Sequence, residues 1–265
     1  MAVKSNISWT DATWNPHFGC KKVSEGCKFC YMHRILEGQK KDGNLIFQSP
    51  SEIEKPKQWK NPKLIFTCSM SDFFIEETDE WRDKYWEVIK ETKHHTYLIL
   101  TKRPERIKDC LPKDWSIENY PNVWLGVTVE SNKVINRIHY LEDIECSVKW
   151  VSFEPLLSEI YLKDRELSII NWAVIGGESG NDTGKYLYRK SELSWFLSLM
   201  YQLSIKGTPL FFKQFGTWYH KNEFFLKDSK GEKYCPNFPG GFRIRQFPER
   251  VFCNENNLKK INYEK

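Results

Sequence analysis

Three cysteines in the stretch "GCKKVSEGCKFCY" (19–31), Cys20, Cys27 and Cys30, are the residues of this chain best suited to chemistry. Their spacing is C-x6-C-x2-C, with Phe29 immediately before the last of them. Thiolates bind soft metals and iron–sulfur clusters. Three thiolates are one short of the four ligands of a structural zinc site. On a [4Fe–4S] cluster they leave one iron open to chelate a small molecule. A three-cysteine [4Fe–4S] site is therefore the first reading. Zinc completed by His33 or His17 to a Cys3His site is the second, and three incidental thiols are the third.

The remaining cysteines, Cys68, Cys110, Cys146, Cys235 and Cys253, are isolated in sequence. None supplies the second C-x-x-C of an ordinary zinc ribbon. Cys68, Cys110 and Cys146 read as small core residues, whereas Cys235 and Cys253 offer a weaker second metal pair.

A cysteine loop works only on a scaffold that holds it against a ligand. "LIFTC" (64–68), "TYLIL" (96–100), "VWLGVTV" (123–129), "VKWVSF" (148–153), "NWAVIG" (171–176) and "TPLFFK" (208–213) are short apolar runs rich in β-branched and aromatic residues. Runs of that kind without clean alternation suit parallel strands buried on both faces. A seventh strand is expected near Ile7–Thr10. Between the runs lie helix patterns: 79–92, with Trp81, Tyr85, Trp86 and Ile89 on one side, then 132–144, then 191–207 closing at Gly207. This alternation predicts an α/β fold, a parallel (β/α) barrel that is partial or near-complete and TIM-like. The barrel is expected over 1–215 and carries the cysteine loop 20–30; residues 216–265 lose the alternation and read as an accessory extension packed on it.

Each strand run is followed by polar groups where ligands bind in parallel α/β folds. Ser69, Ser71 and Asp72 follow the first, Lys102 and Arg103 the second, Glu130 the third and Glu154 the fourth. Gly176, Gly177, Glu178 and Ser179 follow the fifth, and Lys213 with Gln214 the sixth. Helix caps and turns account for one such strand end more easily than for a succession of six. Buried charges are too costly to leave unpaired, so some of these groups are expected to pair with one another. His94 and His95 precede a strand, at the opposite rim, and read as surface residues. Trp9, Trp14 and Asn15 either wall the cysteine loop or pack in the core.

The three-cysteine loop with its aromatic, placed after the first strand of such a barrel, resembles the radical S-adenosylmethionine superfamily. The six-residue first gap departs from that superfamily's usual C-x3-C-x2-C. The set "TDATWNPHFGC", "SMSDFF", "LTKRPER", "GVTVE", "SFEPLL", "GGESG" and "FFKQFG" is similar, more closely, to a bacteriophage- and prophage-associated three-cysteine family of unresolved function. The resemblance implies a [4Fe–4S] cluster on Cys20, Cys27 and Cys30 and reductive cleavage of S-adenosylmethionine to a 5′-deoxyadenosyl radical that abstracts hydrogen from a substrate. It also implies a one-electron donor such as a flavodoxin or ferredoxin. Ser69, Ser71 and Asp72 then fall where related enzymes bind the amino group. On the same scheme Lys102 and Arg103 face a carboxylate or phosphate, Glu130 accepts from ribose hydroxyls, and Gly176 and Gly177 let adenine or ribose approach. Glu154, Glu178, Ser179 and Phe29 complete the expected cofactor site.

Composition narrows the class. At 265 residues, 40% hydrophobic and 28% charged, the chain is an ordinary globular one. Its 15% aromatic content, including 11 Trp, suits an aromatic core first and base-stacking platforms second. A net charge of +5 permits a phosphate-bearing partner, with nucleic acid or nucleotide as the expected substrate. No leader pattern or membrane-spanning run is read, and unevenly spaced thiols point to a reducing cytoplasm. The competing class is a zinc-stabilised barrel that binds nucleic acid or protein without redox chemistry. Charged groups at successive strand ends favour the enzyme.

Overall fold

Apolar runs without a polar face require cover on both sides, and the chain supplies it by curling a parallel sheet. The computed structural model describes residues 5, 7–180, 186–222, 226–227, 233–234 and 244–248. Seven strands run in sequential order: β1 (Ala12–Trp14), β2 (Leu64–Thr67), β3 (Thr96–Thr101), β4 (Val123–Thr128), β5 (Val148–Phe153), β6 (Trp172–Gly176) and β7 (Leu210–Gln214). Each pairs in parallel with the next. The architecture is the expected α/β one, an incomplete TIM-like barrel.

β2 to β7 coincide with the six apolar runs. β1 does not, since it lies after the expected Ile7–Thr10. That segment is a turn, closed by Thr10 N–H donating to the Ile7 carbonyl at 3.0 Å, and it commits Trp9 to the barrel interior. The Trp9 ring lies 4.8 Å from Phe66, 5.4 Å from Trp150 and 6.0 Å from Trp172. With Leu64, Leu98, Trp124, Val174 and Phe211 it fills the concave face. Alternate residues, among them Ile65, Tyr97, Ile99, Leu125, Val151 and Phe212, form the larger core on the other face. The aromatic excess is thus largely structural.

Gly126 is the close approach that lets Trp150 in, because a Cβ there would stand 2.4 Å from the indole. Gly126→Ala is expected to destabilise the fold by about 1–3 kcal/mol through overpacking. Urea unfolding checks this, and a variant as stable as the parent would show that the interior yields.

The helices that position the site are α1 (Tyr31–Gly38), α2 (Asp79–Glu91), α3 (Asp164–Ile169), α4 (Leu193–Ile205) and α5 (Thr217–Asn222). In α2, Tyr85, Trp86 and Ile89 are buried as the pattern required, and Trp81 is half-buried. The segment expected as a helix over 132–144 is instead a 3-10 helix, Asn132–Leu141, broken at Val134 (φ −117°, ψ 19°). β-branched Val134, Ile135 and Ile138 weaken α-helical winding there, and Arg137 turns inward to the Thr128 carbonyl and the Glu130 carboxylate.

His95 also departs from expectation. It is fully buried, bonded through Nε2 to the Pro56 carbonyl at 3.0 Å, and burial lowers its pKa to about 4. The 3-10 turn Lys55–Gln58 covers it, a contact that sequence spacing does not show. Residues 244–248 lie along the outer side of β7: Arg245 bridges Phe211 in antiparallel sense, and Phe247 stacks on Trp172 at 5.4 Å. An edge that would otherwise stay open is thereby covered. No helix of the described residues is long and apolar enough to cross a membrane. Cys68 and Cys110 are buried and Cys146 is half-buried, whereas Cys235 and Cys253 lie outside the described residues.

Candidate functional site

The chain leaves β1, forms a short antiparallel pair between His17–Phe18 and Phe47–Gln48, and enters the cysteine loop at Gly19. Gly19 has φ +88°, and a Cβ on it would sit 2.1 Å from the Leu45 carbonyl oxygen, so only glycine fits. Cys20 N–H then donates to the Gly43 carbonyl at 2.9 Å. Cys27 ends a 3-10 turn, Glu25–Cys27, and Cys30 is the N-cap of α1. All three cysteines line one cavity of about 470 Å³ at the C-terminal ends of the strands.

Most of the residues picked out by sequence reach this cavity. Phe29, Ser69, Ser71, Asp72, Lys102, Arg103, Glu154, Gly177, Glu178 and Ser179 line it with the cysteines. Glu130 and Gly176 do not. Glu130 turns to the cysteine loop, and Gly176 packs against the side chains of Glu154 and Gln214. Deeper in, Trp9, Phe66, Leu100, Thr128 and Ser152 form the inner wall.

Many of the rim groups bind the loop itself. The Arg103 guanidinium pairs with Asp72 at 3.1 Å, donates to the Lys21 carbonyl at 2.9 Å and approaches Cys20 Sγ at 3.7 Å. Glu130 pairs with Arg137 at 2.8 Å and accepts from Gly26 N–H at 3.4 Å. Glu178 pairs with Arg189, which donates to the Glu25 carbonyl at 2.9 Å. Three acid–arginine pairs from three strand ends therefore clamp the loop at three points. Ser71 Oγ adds a bond to the Gly19 carbonyl, and Ser69 Oγ donates to Asn15 Oδ1 at 3.1 Å.

The acids expected to face a ligand are thus largely occupied. Asp72 also accepts from Thr101 Oγ1 at 2.7 Å and from the backbone N–H groups of Lys102 and Phe74, each at 3.1 Å. Glu154 holds Lys213 at 2.7 Å and Gln214 Nε2 at 3.1 Å. Lys102 differs, because its ammonium has no partner among the described residues while it lines the cavity. The Phe29 ring meets Tyr186 and Tyr188 edge-on at 5.7 Å, under the Arg189 guanidinium.

The donor set favours a cluster over a single ion. His17 is buried, bonded to the Asp72 carbonyl at 3.2 Å, and held neutral by burial, which lowers its pKa to about 4. His33 packs on Gly43. Neither histidine lines the cavity, and among the described residues no three Cys, His, Asp or Glu side chains converge on one point. Zinc ligands must meet at one centre, whereas cluster thiolates bind separate irons. Three thiols of one loop lining a single cavity fit the second case. Burial and nearby Asp72 push the Cys20 thiol up to about 12, against the pull of Arg103. It is therefore protonated at neutral pH until a metal displaces the proton.

The family model described as protein of unknown function (DUF5131) matches residues 4–254. The chain belongs to this family. A solved structure of spore photoproduct lyase, a cysteine-to-alanine variant with a dinucleoside spore photoproduct, matches with TM-score 0.51 and 12% identity, over 82% of this chain and 78% of that one. At that identity the likeness is one of fold. No curated protein matches the sequence.

Six residues of this DUF5131 site escaped the sequence reading. Arg137 stands beside apolar Ile138 in a stripe that continues to Leu141, and an arginine on a buried face is a readable sign of a paired carboxylate. Arg189, Tyr186 and Tyr188 lie in a segment without periodicity, so nothing local marks them. Thr128 and Ser152 occupy strand positions whose inward direction becomes visible only once register is known.

Proposed function

We propose that this chain is a radical S-adenosylmethionine enzyme, with Cys20, Cys27 and Cys30 holding a [4Fe–4S] cluster and with S-adenosylmethionine and substrate sharing the cavity. The observation that carries this reading is the placement of the three thiols of one clamped loop around a single cavity at the mouth of a parallel β/α part-barrel. The fold likeness to spore photoproduct lyase, a radical S-adenosylmethionine enzyme, supports it. Cluster and cofactor together would supply an electron and a carbon-centred radical for hydrogen abstraction.

The chain's own residues do the rest. The three acid–arginine pairs fix the loop so that its thiols keep their spacing. Trp9, Phe66 and Leu100 make the inner wall apolar, which excludes water from a reactive site. Lys102, whose ammonium has no partner among the described residues, supplies a cation for a carboxylate or phosphate. A one-electron donor such as a flavodoxin or ferredoxin, in a reducing cytoplasm, completes the system. The substrate is a nucleic acid or nucleotide. Supporting this are the net charge of +5 and the aromatic and cationic mouth around Phe29 and Arg189.

Anaerobic reconstitution tests the cofactor. A brown protein with about four irons and four sulfides per chain is expected. A colourless protein with one tightly held zinc would replace this reading with the metal-stabilised binding module. For the substrate, deuterium should pass from labelled DNA, RNA or nucleotide into 5′-deoxyadenosine. Transfer from a peptide alone would discard the nucleic-acid assignment and keep the enzyme.

A further inference from the structure

We infer that Arg103 is a positioning residue that sets the reduction potential of a cluster held by Cys20, an inference that rests on the cluster reading above. Arg103 leaves the end of β3 and crosses the cavity wall to the first cysteine. Its Nη1 stands 3.7 Å from Cys20 Sγ, within range of an N–H···S hydrogen bond, and 3.1 Å from Asp72 Oδ2. Nη2 donates to the Lys21 carbonyl at 2.9 Å. The two side chains are 9% and 7% exposed.

The orientation is fixed from behind. Arg103 N–H donates to Thr101 Oγ1 at 2.9 Å, and that hydroxyl donates to Asp72 Oδ1 at 2.7 Å. Among the described residues the other two sulfurs lack a charged donor: Cys27 Sγ has Ser24 Oγ at 3.8 Å, and Cys30 Sγ has no hydrogen bond. One thiolate of the three thus receives a cationic N–H.

Reduction adds one electron, taken from an external one-electron reductant, and leaves the cluster more negative. A buried cation bonded to a ligating sulfur stabilises that state and raises the potential. Asp72 opposes it by partly neutralising the guanidinium. Two substitutions should therefore move the potential in opposite directions. Arg103→Met removes the cation and the N–H···S bond and should lower it. Asp72→Asn keeps the size, removes the negative charge and one pair of accepted bonds, leaves Arg103 uncompensated, and should raise it.

The test is a potentiometric titration of reconstituted protein, without S-adenosylmethionine, followed by the paramagnetic signal of the reduced cluster. At a fixed potential the reduced-to-oxidised ratio should fall about tenfold in Arg103→Met, equivalent to about 59 mV for a one-electron couple. In Asp72→Asn it should rise. Variants that titrate with the parent, or that shift in the same direction, would overturn the inference. Should Arg103→Met hold no iron, Arg103→Gln, which also removes the cation but keeps a polar chain, is titrated in its place and should shift the potential in the same downward direction. A parent protein that binds no cluster is a different failure, since it removes the cofactor reading itself.

Discussion

Alanine at Cys20, Cys27 or Cys30 is expected to take the reconstituted protein from about four irons per chain to background, while Cys110→Ala and His33→Ala leave the iron content unchanged. Each thiol comes from a different part of one short loop: Cys20 after Gly19, Cys27 in a 3-10 turn, Cys30 at the start of α1. Among the described residues none has a neighbour placed to substitute for it. Cys68 is nearest in role because it also lines the cavity, but it is buried at the end of β2 with φ +58°, a position a loop cannot carry to the cluster. Iron and acid-labile sulfide analysis of the variants reads the result. Equal loss of metal in His33→Ala would mean that a histidine completes the site and would restore the Cys3His reading.

Glu130→Ala should cost about 3–5 kcal/mol of stability, because it leaves a buried partner charge uncompensated. Glu130 is 1% exposed and Arg137 8%. The guanidinium would keep only the Thr128 carbonyl at 2.9 Å, and Gly26 N–H would lose its acceptor. Loop order and fold stability should fall together. Adding Arg137→Met to Glu130→Ala should restore part of the loss, since removing both charges leaves none unpaired. Urea unfolding of the two variants measures this. A Glu130→Ala protein within about 0.5 kcal/mol of the parent, the range of ordinary surface changes, would show that the clamp is not coupled to the fold.

The sheet was legible because its signal is local. Six runs of β-branched and aromatic residues became β2 to β7, since a strand buried on both faces needs an unbroken apolar run. β1 was misplaced because Ile7 and Trp9 carry the same composition as a strand while serving as the floor of the barrel. The strand-end residues were found at the cavity for a topological reason: in a parallel sheet every strand delivers its C-terminal end to one side. Their partners were not legible. Whether Asp72 meets a ligand or Arg103, and whether Glu130 meets a ribose or Gly26, depends on side-chain reach between segments remote in sequence. The expectation that rim charges pair with one another came from the cost of burying them, and among the described residues two such pairs are present, Asp72–Arg103 and Glu154–Lys213; Glu130 and Glu178 pair instead with Arg137 and Arg189, which no strand end marked.

On the proposed function, three clamped thiols and one cavity serve reductive cleavage of S-adenosylmethionine. Cluster-replete protein, reduced by a strong one-electron donor and given S-adenosylmethionine without substrate, should form 5′-deoxyadenosine slowly, with the Cys27→Ala protein at background under the same conditions. Reduced, iron-loaded protein that yields no 5′-deoxyadenosine above that background, with or without DNA, RNA, nucleotide or peptide, would contradict the claim and leave a cluster-bearing binding protein in its place.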